Sequence, residues 1–231
     1  MSDNLKSFVF AGVLCLVCSI LLTAASTGLK EFQQKNIALD MQKNILMSVG
    51  LISDDRKYSS EHIEKIYNDS IKSLWTGDDG KIVPEKKRSS EGLPVYVHVR
   101  EDEIESYIIP IEARGLWGKI NGYLSLENDG STIKGFTVYK HSETPGLGGE
   151  IEKRWFQKNF EGKKIVDQGG DFVSVSVAKG AVKDISPKEK QEHFVDGISG
   201  ATLTGKFLSA GLKEILLEYE PVSVRFRKGG R

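Results

Sequence analysis

Two stretches concentrate residue types that could do chemistry. The first, "DGISGATLTGKF" at residues 196–207, sets Ser199, Thr202 and Thr204 among Gly197, Gly200 and Ala201. Leu203, Phe207, Leu208, Gly211, Leu212, Ile215 and Leu216 run on from it at helical spacing, so the hydroxyls stand at a predicted helix amino terminus. There the first N–H groups lack internal partners and the helix dipole is positive, which stabilises an anion such as a phosphate. A helix cap is the competing use, but a cap needs one hydroxyl rather than several. Gly200 and Ala201 leave Ser199, Thr202 and Thr204 accessible, as an acceptor modified by another protein must be. The second stretch, "HSETPGLGGE" at residues 141–150, places Gly146, Gly148 and Gly149 beside Glu143 and Thr144. Glycine costs backbone entropy unless geometry or close approach requires it. That density suggests a binding loop, with a plain long turn as the alternative.

Other chemistry is poorly supported. His62, His98, His141 and His193 are scattered without metal-ligand spacing and read as surface or sheet residues. Ser199 lacks the G-x-S-x-G elbow of a hydrolase nucleophile. Lysine plus arginine equals aspartate plus glutamate, 32 each, so the basic footprint of a nucleic-acid partner is missing.

The elements that must position these stretches begin with a membrane-length segment. Residues 8–25, "FVFAGVLCLVCSILLTAA", carry no charge and lie between Lys6 and Lys30; as a helix they span about 27 Å, close to a bilayer core. A retained single-pass anchor is preferred to a cleaved signal peptide, because the apolar run exceeds the usual h-region. Either way the remainder is exported, although the flanking charges say little about orientation. Cys15 and Cys18 fall inside this segment, so the exported part has no disulfide framework, and the C-x-x-C pair reads as apolar packing.

Beyond it, Phe32, Ile37, Met41, Ile45 and Val49 predict a helical stalk or surface helix. A second helix, capped by Ser59 or Ser60, carries Ile63, Ile66, Tyr67, Ile71, Leu74 and Trp75 on one face up to "TGDDG". Alternation then predicts strands at residues 93–99, 106–112, 120–127 and 132–141, the last two joined through Asp129 and Gly130. "FVSVSVA" at residues 172–178 predicts another strand, and Trp155, Phe156 and Phe160 a short helix before it. Ser186, Pro187 and Glu189 have the chemistry of a helix start. Residues 82–92 remain unassigned. The sum is an α+β fold, a twisted antiparallel sheet with flanking helices, preceded by one N-terminal transmembrane helix.

D-x-x-S-G-A-T, here Asp196, Ser199, Gly200, Ala201 and Thr202, resembles the flavinylation motif of FMN-binding domains, whose last threonine carries FMN through a phosphoester. "SETPGLGGE", "IEARGLWGKINGYLSLE" and "ALDMQKNIL" also resemble the C subunit of the sodium-translocating NADH:quinone oxidoreductase, over nearly the whole chain. The G subunit of the RNF complex shares the SGAT motif and is the nearest alternative; a membrane-tethered binding module without flavin is the alternative of another class.

The resemblance implies covalent FMN on Thr202, with Ser199, Gly200 and Ala201 around the phosphate and Thr204 as the rival acceptor. It implies flavin contacts from Glu143, Thr144, Leu147 and Gly148, an aromatic wall from Trp117, and Lys179 near the flavin. Asp196 would serve recognition by a flavin transferase. Residues 1–29 would be the anchor, 30–58 the stalk and 59–231 the exported FMN-binding domain. The chain would relay electrons among about six subunits of a sodium pump in the bacterial cytoplasmic membrane, its large domain on the outer side. The resemblance also implies that the NADH and quinone sites belong to other subunits, and the lack of a G-x-G-x-x-G after a strand agrees with a relay rather than the dehydrogenase entry point.

Overall fold

A computed structural model describes residues 2–77, 79–88, 90–185 and 188–229. The chain divides into two compact units, Met1–Asp40 and Met41–Arg231. Helix α1, Asp3–Ser48, begins in the first unit. Its apolar part is long enough to cross a membrane and none of it is buried within the protein. Cys15 and Cys18 are exposed there.

In the second unit, α2 (Ser60–Ser70) is followed by strands β1 (Ile71–Thr76), β2 (Ile82–Val83), β3 (Pro94–Arg100), β4 (Glu103–Arg114), β5 (Lys119–Glu127) and β6 (Ile133–Lys140). Then come α3 (Arg154–Lys158), β7 (Ser176–Val177), β8 (Phe194–Val195), α4 (Thr202–Glu218) and α5 (Glu220–Arg227). The first six strands form one antiparallel sheet in the order β2-β1-β3-β4-β5-β6. Asp129 closes the β5–β6 turn by accepting the N–H groups of Ser131 and Thr132, each at 2.8 Å. Gly130 there takes φ 64°, a value glycine adopts without strain.

Because side chains alternate across a strand, the sheet has two apolar faces. On one, Val95, Val97, Ile109, Ile111, Leu124 and Phe136 form a continuous core with Phe156 and Phe160 and with Leu208, Leu212 and Leu216 of α4. The other face receives the last turns of α1, where Ile45, Leu46 and Met47 are buried. The Thr137 hydroxyl donates to the Asn44 carbonyl at 3.2 Å, and the Ser125 hydroxyl donates to that of Ser48. A side chain at Gly135 would collide with the Ser48 carbonyl, so glycine allows the helix end to lie against β6.

Three expectations change. The helix predicted to reach Trp75 ends at Ser70, and Ile71–Thr76 is instead a strand, because pairing with β3 satisfies its backbone and buries Ile71. "FVSVSVA" does not extend the main sheet: Ser174 is buried at φ 70°, which breaks the alternation, so Phe172 makes only an isolated antiparallel bridge to Val166 and Ser176–Val177 pairs in parallel with β8. Leu203 is 52% exposed rather than part of the buried face of α4. The helix start expected at Ser186 and Pro187 lies outside the described residues; Lys188–His193 is a 3-10 helix.

Candidate functional site

The turn ahead of α4 is built by its own sequence. The Ala201 N–H donates to the Ile198 carbonyl at 3.0 Å, and Gly200 inside that turn takes φ 74°. A Cβ at Gly200 would also lie 2.8 Å from Leu147 Cδ2, a side-chain end that can shift, so it is the backbone conformation that calls for glycine. Ala201 is buried in the core and serves as N-cap, which leaves Thr202 exposed in the first turn. Among the described residues no side-chain hydrogen bond caps the start of α4. Its first N–H groups therefore remain available to an anion, and the capping explanation for the hydroxyl-rich start does not hold.

The glycine loop curls onto this turn. The N–H groups of Leu147 and Gly149 donate to the Thr144 carbonyl at 3.1 and 2.9 Å, and a 3-10 helix follows at Gly148–Glu152. Beside it, the β4–β5 hairpin closes with the Gly115 N–H donating to the Gly118 carbonyl at 2.7 Å, lifting Leu116 and Trp117 to the surface. The three segments enclose a cavity of about 340 Å³ lined by Leu116, Trp117, Glu143, Thr144, Leu147, Gly148, Gly200, Ala201, Thr202, Leu203 and Thr204.

Glu143 lies beneath them, 4% exposed. One carboxylate oxygen accepts the Trp117 N–H at 3.0 Å and the other the Thr204 hydroxyl at 2.5 Å. Its own N–H donates to His141 Nδ1 at 3.1 Å, so the His141 proton sits on Nε2, which faces Glu152 at 3.1 Å. Lys153, then His141, hold the Glu152 carboxyl below its ordinary pKa.

Of the predicted site residues, the cavity brings together Thr202, Gly200, Ala201, Glu143, Thr144, Leu147, Gly148 and Trp117. Ser199 is exposed in the adjoining turn but does not line it. Asp196 accepts the Val182 N–H at 2.7 Å and so tethers the loop to the Gly180–Val182 region. Lys179 is exposed beside a different cavity, with Gly180, Asp184 and Phe194. Sequence reasoning missed Leu116, Leu203 and His141 as site residues; the Leu-Trp pair of "GLW" was the signal for the first, and the other two were marked only by lying within the two chemistry-bearing stretches.

The fit to a flavin nucleotide rests on this chain's own features. An uncapped helix start with an exposed hydroxyl suits a phosphate. Leu116, Trp117, Leu147 and Leu203 are 40%, 69%, 43% and 52% exposed, a costly apolar rim that a flat ring system would cover.

Residues 115–217, which carry the hairpin, the glycine loop and the helix start that line the cavity, match the FMN-binding domain family, the class of protein that this fold and cleft fit. The chain is 31% identical over 265 residues to the C subunit of the Na(+)-translocating NADH-quinone reductase of Vibrio campbellii, covering 99% of this chain and 98% of that protein. It is 34% identical over 217 residues to the C subunit from Neisseria meningitidis, covering 83% and 81% of the two chains. The crystal structure of the C subunit from Parabacteroides distasonis superposes with TM-score 0.70 at 33% identity, over 84% of this chain and 96% of that one. The chain belongs to the family of C subunits of Na(+)-translocating NADH-quinone reductases.

Proposed function

We propose that this chain is an electron-relay subunit of a sodium-pumping NADH:quinone oxidoreductase and carries FMN through a phosphoester on Thr202. The observation that carries the reading is the contrast between two hydroxyls in the same turn. Thr202 is exposed and lines the cavity, and its hydroxyl makes no hydrogen bond among the described residues. Thr204 is 2% exposed and its proton is committed to Glu143. An acceptor must present its oxygen to an incoming phosphorus, and Thr202 is placed to do so: its Oγ1–P bond forms as the phosphoanhydride bond of a flavin dinucleotide donor breaks, the nucleoside monophosphate leaves and the hydroxyl proton passes to the transferase.

Bound FMN supplies one- and two-electron chemistry, and the protein's part is to hold and surround it. The first N–H groups of α4 offset the phosphate charge, with the exposed Ser199 hydroxyl nearby. Trp117, Leu116, Leu147 and Leu203 would keep water from the ring, and Thr144 and Gly148 complete the lining of the cleft. Lys179 is assigned no direct contact on this reading, and Asp196 supports the acceptor loop through Val182. The apolar part of α1 anchors the chain in the bacterial cytoplasmic membrane, the remainder lying on the outer side. There it works among the other subunits of the complex after a flavin transferase has loaded it.

Coexpression with a flavin transferase, followed by flavin fluorescence in a denaturing gel, tests the attachment. Wild type and Thr204→Val keep a fluorescent band, and Thr202→Ala loses it. A band retained by Thr202→Ala would refute Thr202 as the acceptor.

A further inference from the structure

We infer that Glu143 is a positioning residue that builds the acceptor cradle before any flavin arrives, by tying the Trp117 turn to the first turn of α4. The inference rests on the reading of Thr202 as acceptor and gives Glu143 a task other than flavin contact.

Three segments distant in sequence meet at this one carboxylate. Glu143 and Thr204 are 61 residues apart, and Glu143 and Trp117 are 26 apart. Both oxygens accept, the pattern an ionised carboxylate offers, and each accepts from a different segment. The backbone closes around it where only glycine fits. A Cβ at Gly115 would lie 2.5 Å from Glu143 Oε1, and one at Gly148 would lie 2.5 Å from Thr204 Oγ1 and 2.8 Å from Glu143 Oε2. The glycines of "GLWG" and "PGLGG" thus serve the carboxylate as much as the cavity. His141 fixes the same residue from behind through its backbone N–H.

The consequence is geometric. Thr204 lies two residues after Thr202 in the same turn, so the Glu143–Thr204 bond fixes the azimuth of that turn and with it the direction of the Thr202 oxygen. The Trp117 bond holds the opposite wall at the matching distance. Misplacing an acceptor by about 1 Å can slow a transfer on the order of a hundredfold.

The test is the rate at which flavin fluorescence appears per full-length polypeptide after a flavin transferase is induced. Glu143→Ala is expected to slow labelling on the order of a hundredfold. Glu143→Gln restores most of the rate, because its carbonyl accepts from Trp117 while its amide donates to Thr204. Thr204→Val, which cuts one end of the tie and keeps the shape, also slows labelling, and Glu143→Ala with Thr204→Val is no slower than Glu143→Ala alone. Should Glu143→Ala not accumulate, Thr204→Val and Glu143→Gln carry the same expectations. Labelling of Thr204→Val at the wild-type rate overturns the inference while leaving Thr202 as acceptor. So does failure of Glu143→Gln to restore the rate in a folded chain. Labelling of Thr202→Ala would instead overturn the site reading beneath it.

Discussion

At the scale of single residues, the site depends on small side chains as much as on hydroxyls. Gly200 combines φ 74° with a contact to Leu147, and a left-handed conformation costs other L-residues about 1–2 kcal/mol. Gly200→Ala is therefore expected to lower unfolding free energy by about 1–2 kcal/mol in urea titration of the detergent-solubilised chain. It should also reduce flavin per polypeptide. Gly200→Asn should lose less stability, since asparagine visits that region more readily. Equal stability of Gly200→Ala and wild type would show that the turn relaxes to another conformation. The sequence displayed the hydroxyls of Thr202 and Thr204 alike. What separates them is a bond to Glu143, 61 residues away, and local spacing carries no trace of such a contact. His141, a scattered histidine in sequence, is the partner of the Glu143 N–H two residues on, a local bond that metal-ligand spacing does not look for.

Among the elements, α1 changes character along its length. Up to Asp40 it belongs to the first unit, while Leu46, in the same helix, is fully buried in the second. Leu46→Ala should cost about 2–5 kcal/mol, the range for a buried leucine, read as a lower urea midpoint of tryptophan fluorescence. Leu21→Ala, at an exposed position, should leave that midpoint unchanged. Equal midpoints for Leu46→Ala and wild type would mean that the helix end does not support the sheet. The antiparallel strands β3 to β6 were legible because alternation and the Asp129–Gly130 turn write them locally. β1 was not, because Ile71, Leu74 and Trp75 continue the helical spacing of α2 and only pairing with β3 decides against it. "FVSVSVA" failed for the converse reason: its alternation is real, but the left-handed Ser174 turns the chain away from the main sheet.

For the molecule as a whole, tyrosines set the alkaline limit. Burial raises the phenols of Tyr67, Tyr96, Tyr107, Tyr123 and Tyr219 above the ordinary 10.0, that of Tyr67 to about 12. A raised folded-state pKa means that the unfolded chain releases its proton first, so this stability is complete below pH 10 and falls as pH rises toward the folded values. Tyr107 is the cleanest case, fully buried, stacked on Phe226 at 4.6 Å and donating to Ser223 at 2.8 Å. Above pH 10 it alone should remove about 1.4 kcal/mol per pH unit. Tyr107→Phe loses a buried hydrogen bond worth about 1 kcal/mol at neutral pH, although Ser223 keeps its bond to the Tyr219 carbonyl. It also loses the titration. The stability curves of wild type and Tyr107→Phe, measured by urea unfolding from neutral pH upward, should therefore converge and cross about one unit above pH 10. Parallel curves would mean that Tyr107 ionises in the folded protein as readily as in the unfolded chain.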